Sequence, residues 1–155
     1  MSKIKAGTKV PDFSLPTTGG GTWRLKDAAG RKLVIYFYPR DMTSGCTRES
    51  QDFRDLTAAF REAGTDIIGI SRDSVTSHEK FAAKEALPFP LLADTEEQVC
   101  KLFDVIKEKS LYGRKYLGVE RSTFLLDGGG RVQQEWRKVK VPGHAEEVLE
   151  AAQRL

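Results

Sequence analysis

Leu33-Val34-Ile35-Tyr36-Phe37-Tyr38-Pro39-Arg40-Asp41-Met42-Thr43-Ser44-Gly45-Cys46-Thr47-Arg48-Glu49 is the stretch on which the fold turns. Its first six residues form a near-continuous apolar run, the pattern of a strand buried on both faces. From residue 47 to 63 the apolar positions Phe53, Leu56, Ala59, Phe60 and Ala63 recur at threes and fours, which is the stripe of an amphipathic helix. Gly64 can cap it. A buried strand that runs directly into a helix places Cys46 in the helix's first turn. Backbone N–H groups there lack intrahelical partners, and the helix dipole is positive. Such a setting favours thiolate over thiol, and the thiolate is the reactive form.

Outward from this stretch, strands and helices alternate. Phe13-Ser14-Leu15 and Thr22-Trp23-Arg24-Leu25 flank a Thr- and Gly-rich turn and predict an N-terminal β-hairpin. Residues 66–70 read as a second buried strand. Asp73 or Ser74 caps a helix running to about residue 86, which Pro88 stops. A short strand at 89–93 and a short helix at 96–103, capped by Asp94 or Thr95, follow. Residues 104–120 have weak periodicity and read as an irregular excursion. Residues 122–126 and 132–136 form a hairpin across Asp127-Gly128-Gly129-Gly130, and a last helix covers about 144–152. Trp23 and Trp136 are expected as packing aromatics. The order predicts an α/β fold, a central mixed β-sheet flanked by helices, with all 155 residues in one domain.

Composition narrows the function classes. Hydrophobic residues make up 39% and charged residues 30%, with a net charge of +3, so a core and a solvated surface are both provided for. The densest basic run, Arg137-Lys138-Val139-Lys140, is short and lacks an aromatic platform. It reads as a solvated strand end, and no nucleic-acid partner is expected. Met1-Ser2-Lys3-Ile4-Lys5-Ala6-Gly7 has no apolar core of a targeting segment, and no run approaches the ~18 apolar residues that span a bilayer. Two distant cysteines do not make a disulfide scaffold, so a reducing cytoplasm is expected. His78, His144, Cys46 and Cys100 show no metal-ligand spacing, and His78 is expected on a helix surface. The glycine triplets at 19–21 and 128–130 are turns without a phosphate-binding pattern. Glu49 occupies the place a Cys-x-x-Cys dithiol would need. No cofactor and no metal are expected.

The chemistry of a reactive sulfur asks for further groups. Gly45 lets the backbone approach closely and leaves its N–H free. Thr43 offers a hydroxyl that both donates and accepts. Pro39 removes an N–H and can wall the sulfur from water. The missing device is a cation, and Arg121, directly before the buried strand at 122–126, is the candidate.

Pro39, Thr43 and Cys46 form the pattern Pro-x-x-x-Thr-x-x-Cys, which resembles the peroxiredoxin motif. Along nearly its whole length the chain is similar to the bacterioferritin-comigratory-protein group of that family. The matching pieces are Pro11-Asp-Phe-Ser-Leu15, Phe37-Tyr-Pro-Arg-Asp41, Gly45-Cys-Thr-Arg-Glu49, Gly69-Ile-Ser-Arg-Asp-Ser74, Phe89-Pro-Leu-Leu-Ala-Asp94 and Glu120-Arg-Ser-Thr-Phe124. The resemblance implies a thioredoxin-like fold and a thiol peroxidase acting on hydrogen peroxide and organic hydroperoxides. It implies Cys46 as the peroxidatic cysteine, Thr43 as the hydroxyl that orients the peroxide, Arg121 as the guanidinium that holds the thiolate and polarises the O–O bond, and Pro39 as a shield against over-oxidation. Glu49 has two readings, a brace for Arg121 or a carboxylate favouring the helix N-terminus.

The chain also departs from its relatives. Ser44 stands where many have proline. Gln51 and Ala82 occupy the two places where members of the group carry a resolving cysteine. Cys100 is then either a resolving cysteine or a core residue on the stripe of Val99, Phe103 and Ile106. In the second case an external thiol, from a thioredoxin or glutaredoxin-like protein, reduces Cys46. Relatives in the group are frequently monomeric, and a monomer is expected. The alternative function is a redox-regulated holdase on the same fold.

Overall fold

The apolar run of 33–38 lies at the middle of the main sheet. The structure is a computed structural model describing residues 4–155; residues 1–3 of the N-terminal stretch read above lie outside it. An antiparallel hairpin, β1 (Ser14–Pro16) and β2 (Thr22–Arg24), leads through a 3-10 turn at Leu25–Ala28 into β3 (Lys32–Phe37). Helices α1 (Ser44–Asp55) and α2 (Thr57–Glu62) precede β4 (Thr65–Ser71), and α3 (Val75–Glu85) precedes β5 (Leu91–Ala93). After α4 (Gln98–Leu102) come β6 (Ile106–Leu111), β7 (Arg114–Val119), β8 (Ser122–Leu126), β9 (Val132–Trp136) and α5 (His144–Arg154).

The five-stranded sheet runs β5-β4-β3-β8-β9. The pairs β3–β4 and β4–β5 are parallel, whereas β3–β8 and β8–β9 are antiparallel. Alternation along β3 divides the core in two. Leu33, Ile35 and Phe37 pack with Phe13, Leu15, Val99, Cys100 and Phe103. Val34, Tyr36 and Tyr38 pack with Cys46, Phe53, Phe60, Phe81 and Val148 on the other face. A strand covered on both sides has no polar face, which is why the run is continuous in sequence. Phe53 lies fully buried with its ring stacked 4.8 Å from Tyr36. Truncating it to alanine should cost about 3–5 kcal/mol.

Several expectations are corrected. The excursion at 104–120 is an antiparallel hairpin, β6–β7, in a two-stranded sheet of its own. Its outer half is exposed on both faces, so burial imposes no alternation on the sequence there. Tyr112 and Gly113 both have positive φ (52° and 77°), the requirement of a two-residue hairpin turn. The single helix expected over 47–63 breaks at Leu56, where the Thr57 hydroxyl donates to the Phe53 carbonyl at 3.0 Å. The strand expected over 89–93 pairs only from Leu91. Helix α4 is shorter than expected because Glu97 is left-handed (φ 63°). His78 is wholly buried, for a reason given below. In the basic run Lys138 and Lys140 are exposed, but Arg137 turns inward. Its guanidinium donates to the carbonyls of Phe103 and Asp104 at 3.0 Å and lies 5.1 Å over the Phe124 ring. Both tryptophans pack as expected: Trp23 against Phe13 at 5.7 Å, Trp136 against His144 at 5.8 Å. Among the described residues no helix is long and apolar enough to cross a membrane.

Candidate active site

Register delivers the two halves of the site to one place. Phe37, the last residue of β3, pairs with Ser122, the first of β8. The residue before Ser122 therefore emerges beside the loop that follows β3, and that residue is Arg121. The loop turns through Met42, a non-glycine residue at φ 65°, into Thr43, the N-cap of α1. Cys46 is the third residue of the helix and is fully buried.

The Arg121 guanidinium forks. Nη2 donates to Cys46 Sγ at 3.4 Å and Nη1 to Glu49 Oε1 at 2.7 Å. Glu49 is one turn along α1 and its side chain is 1% exposed, against 16% for Arg121. Burial pushes the Glu49 carboxyl up to about 7, against the pull of Arg121. Glu49 and the Cys46 sulfur raise the proton affinity of Arg121 beyond the loss from burial, so the guanidinium stays charged. Of the two readings of Glu49, the brace is the one with geometry behind it.

Gly45 has a use that the sequence alone does not reveal. A Cβ there would lie 3.1 Å from Arg121 Nη2. The glycine leaves the space in which the guanidinium lies across the first turn. Thr43 is exposed, and its hydroxyl donates to the Arg40 carbonyl at 2.9 Å, which leaves its lone pairs free to accept. It makes no hydrogen bond to Cys46. Pro39 is half-buried, directly after the buried Tyr38. Cys46, Arg121, Glu49 and Gly45 thus meet, with Thr43 and Pro39 on the loop beside them.

A second cluster fixes that loop, and the sequence reading missed it. Asp41 Oδ1 accepts from the Tyr38 hydroxyl at 2.6 Å. Its Oδ2 accepts from Ser77 Oγ and faces His78 Nδ1, both at 2.8 Å. His78 Nε2 donates to the Leu92 carbonyl at 2.9 Å, since a carbonyl can only accept. The Asp41 N–H donates to Asp73 Oδ2 at 2.8 Å. Burial raises the Asp41 carboxyl, but the bonds from His78, Tyr38 and Ser77 outweigh it and hold Asp41 below its usual range. His78 is buried because its partner sits 37 residues away on the loop. The available signal was its place three residues before Phe81 on the apolar stripe of α3. Asp41, Asp73 and His78 are also the one group among the described residues whose ligand atoms lie within 4.8 Å of one another. Each of those atoms is already engaged by the protein bonds just named.

Cys100 lies elsewhere. It packs with the Phe37 face of the sheet, Cys46 with the Tyr36 face. Both are free thiols. Burial and the Asp94 carboxylate push the Cys100 thiol far above its usual range.

Cations and helix N-termini beside a sulfur favour its nucleophilic form, and a guanidinium at the sulfur can also stabilise charge developing on a bound oxygen. A mixed sheet with such a sulfur in the first turn of the helix that follows its central strand defines the class of thioredoxin-like thiol proteins. The profile of the AhpC/TSA family matches residues 6–135, and the chain belongs to that family. It is 55% identical over 140 residues to peroxiredoxin Bcp of Xanthomonas campestris, covering 90% of this chain and 88% of that one. It is 50% identical over 147 residues to peroxiredoxin Bcp of Bacillus subtilis, covering 95% and 94%. A solved structure of the Xanthomonas campestris bacterioferritin comigratory protein, studied for its alkyl peroxide reduction activity, superposes with a TM-score of 0.90 at 49% identity, covering 99% of this chain and 98% of that one.

Proposed function

We infer that this protein is a thiol peroxidase that reduces hydrogen peroxide and organic hydroperoxides. The observation that carries the inference is the fork of Arg121 between Cys46 Sγ and Glu49 Oε1. The Cys46 thiolate attacks the terminal oxygen of the hydroperoxide. An S–O bond forms as the O–O bond breaks, the departing alkoxide or hydroxide takes a proton from solvent, and Cys46 is left as a sulfenic acid. Arg121 holds the sulfur and faces the oxygen on which charge develops. Thr43, with its proton committed to the Arg40 carbonyl, accepts from the hydroperoxide O–H and orients it. Glu49 keeps the guanidinium in place, Gly45 makes room for it, and Pro39 shields the sulfur.

The cycle closes with an external thiol. Gln51 and Ala82 stand where a neighbouring cysteine would be, and Cys100 is separated from Cys46 by the sheet. The reductant we assign is a thioredoxin or glutaredoxin-like protein, acting on a monomeric, single-domain enzyme in a reducing cytoplasm.

Hydrogen peroxide consumption supported by dithiothreitol tests this function. It should be rapid in the unmodified protein and lost in Cys46→Ser. Retention of activity in that variant would refute it.

A further inference from the structure

The reducing thiol has to be brought to Cys46, and the β6–β7 hairpin is the element that leads into Arg121, the residue bonded to its sulfur. Strand β7 ends two residues before Arg121. The base of the hairpin is fixed to the core: Arg72 donates to the Leu117 carbonyl at 3.3 Å, and the Glu120 N–H donates to Val105 at 2.7 Å. Lys109 reaches back to the Val119 carbonyl at 2.7 Å. Burial and then Arg121 lower the proton affinity of Lys109.

The outer part of the hairpin is exposed and carries large apolar side chains among its charges. Of the six exposed large hydrophobic side chains among the described residues, Leu111, Tyr112, Tyr116 and Leu117 are on it, and Met42 is on the Cys46 loop. Register sorts the hairpin's charges. The pairs Lys107–Gly118, Lys109–Tyr116 and Leu111–Arg114 share one face. Glu108, the hairpin's only carboxylate, lies on the other face with Lys115, 3.6 Å away. The first face therefore carries Leu111 and Tyr116 between cations, and among the described residues neither Lys109 nor Arg114 forms a salt bridge.

We propose that this face of the β6–β7 hairpin is the docking surface for the protein dithiol that reduces Cys46, a partner presenting its thiol at the edge of an apolar patch rimmed by carboxylates. The proposal rests on the peroxidase reading above. A small thiol cannot cover an exposed strip of this length, whereas a protein burying Tyr116 and Leu111 would also neutralise Arg114 and Lys109. In the docked complex a partner thiol attacks the Cys46 sulfenic acid. An S–S bond forms, the S–O bond breaks, and water leaves. The partner's second thiol then displaces Cys46, which is released as a thiol while the partner is left as a disulfide.

The test is the double variant Arg114→Glu/Tyr116→Ser, with a thioredoxin kept reduced by its reductase and NADPH as the probe. Both side chains are exposed, so the fold should be untouched. The variant's kcat/KM for thioredoxin should fall about tenfold or more. Its rate constant for hydrogen peroxide and its turnover with dithiothreitol should stay within about twofold. Added salt should slow the thioredoxin reaction of the unmodified protein and barely affect the variant. An unchanged thioredoxin rate would overturn the docking surface. So would an equal loss with dithiothreitol, or a thioredoxin that fails where dithiothreitol succeeds. Absence of dithiothreitol-supported turnover in the unmodified protein would strike down the peroxidase reading and the docking surface with it.

Discussion

Cys46 and Cys100 are each the third residue of a helix and each fully buried, yet their surroundings are opposite in sign. At Cys46 the arginine just ahead of β8 donates to the sulfur. At Cys100 a carboxylate takes the helix's free N–H: Asp94 Oδ2 accepts from the Cys100 backbone at 2.6 Å. A helix N-terminus alone does not make a cysteine reactive. On the proposed function, the charge that reaches the first turn decides, and strand register sets which charge that is.

The largest expected effect comes from removing the cation. Arg121→Ala should lower the rate constant for hydrogen peroxide by about 10²–10³, the usual consequence of deleting one donor to developing negative charge. Stopped-flow kinetics would show it. A rate close to the unmodified protein's would erase the distinction between the two cysteines.

Glu49 sharpens the comparison through pH. Its carboxyl is raised from 4.5 to about 7 in the folded protein. A carboxyl whose folded pKa lies above its unfolded one retains a proton that the unfolded chain has released. Its contribution to stability is therefore complete at low pH and is lost as pH rises through the folded value. Relative to the unmodified protein, Glu49→Gln should gain roughly 3 kcal/mol between about pH 4.5 and 8. Urea midpoints for the two proteins that run parallel across that range would contradict it.

Gly45→Ala gives a smaller effect on the same feature. Its Cβ would meet Arg121 Nη2 at 3.1 Å, so the guanidinium must shift by a few tenths of an ångström. A fall of about tenfold in the peroxide rate, with an unchanged melting temperature, is expected. The smallest effect belongs to the other cysteine. Cys100→Ala should leave the peroxide rate unchanged and cost about 1 kcal/mol of stability, as a loss of packing alone.

Much of the fold was legible because burial wrote it into the pattern. Residues 33–38 are apolar throughout since both faces of β3 are covered, and 122–126 match β8 residue for residue. The β6–β7 hairpin was illegible for the converse reason: Tyr112, Tyr116 and Leu117 are apolar where they are exposed. At the site, the candidates within residues 39–49 could be read from local spacing, and Arg121 from its place before a buried strand and from family resemblance. The buried Asp41–His78 pair could not, because the carboxylate that draws His78 inward lies on a different element. The close approach of Gly45 to Arg121 likewise belongs to tertiary contact.

The most direct measurement is mass spectrometry after one equivalent of hydrogen peroxide, with a dione reagent to trap sulfenic acid. A single dione adduct on Cys46, with Cys100 left as a free thiol, is predicted. A Cys46–Cys100 disulfide, or an adduct on Cys100, would contradict the assignment of the reaction to Cys46 alone.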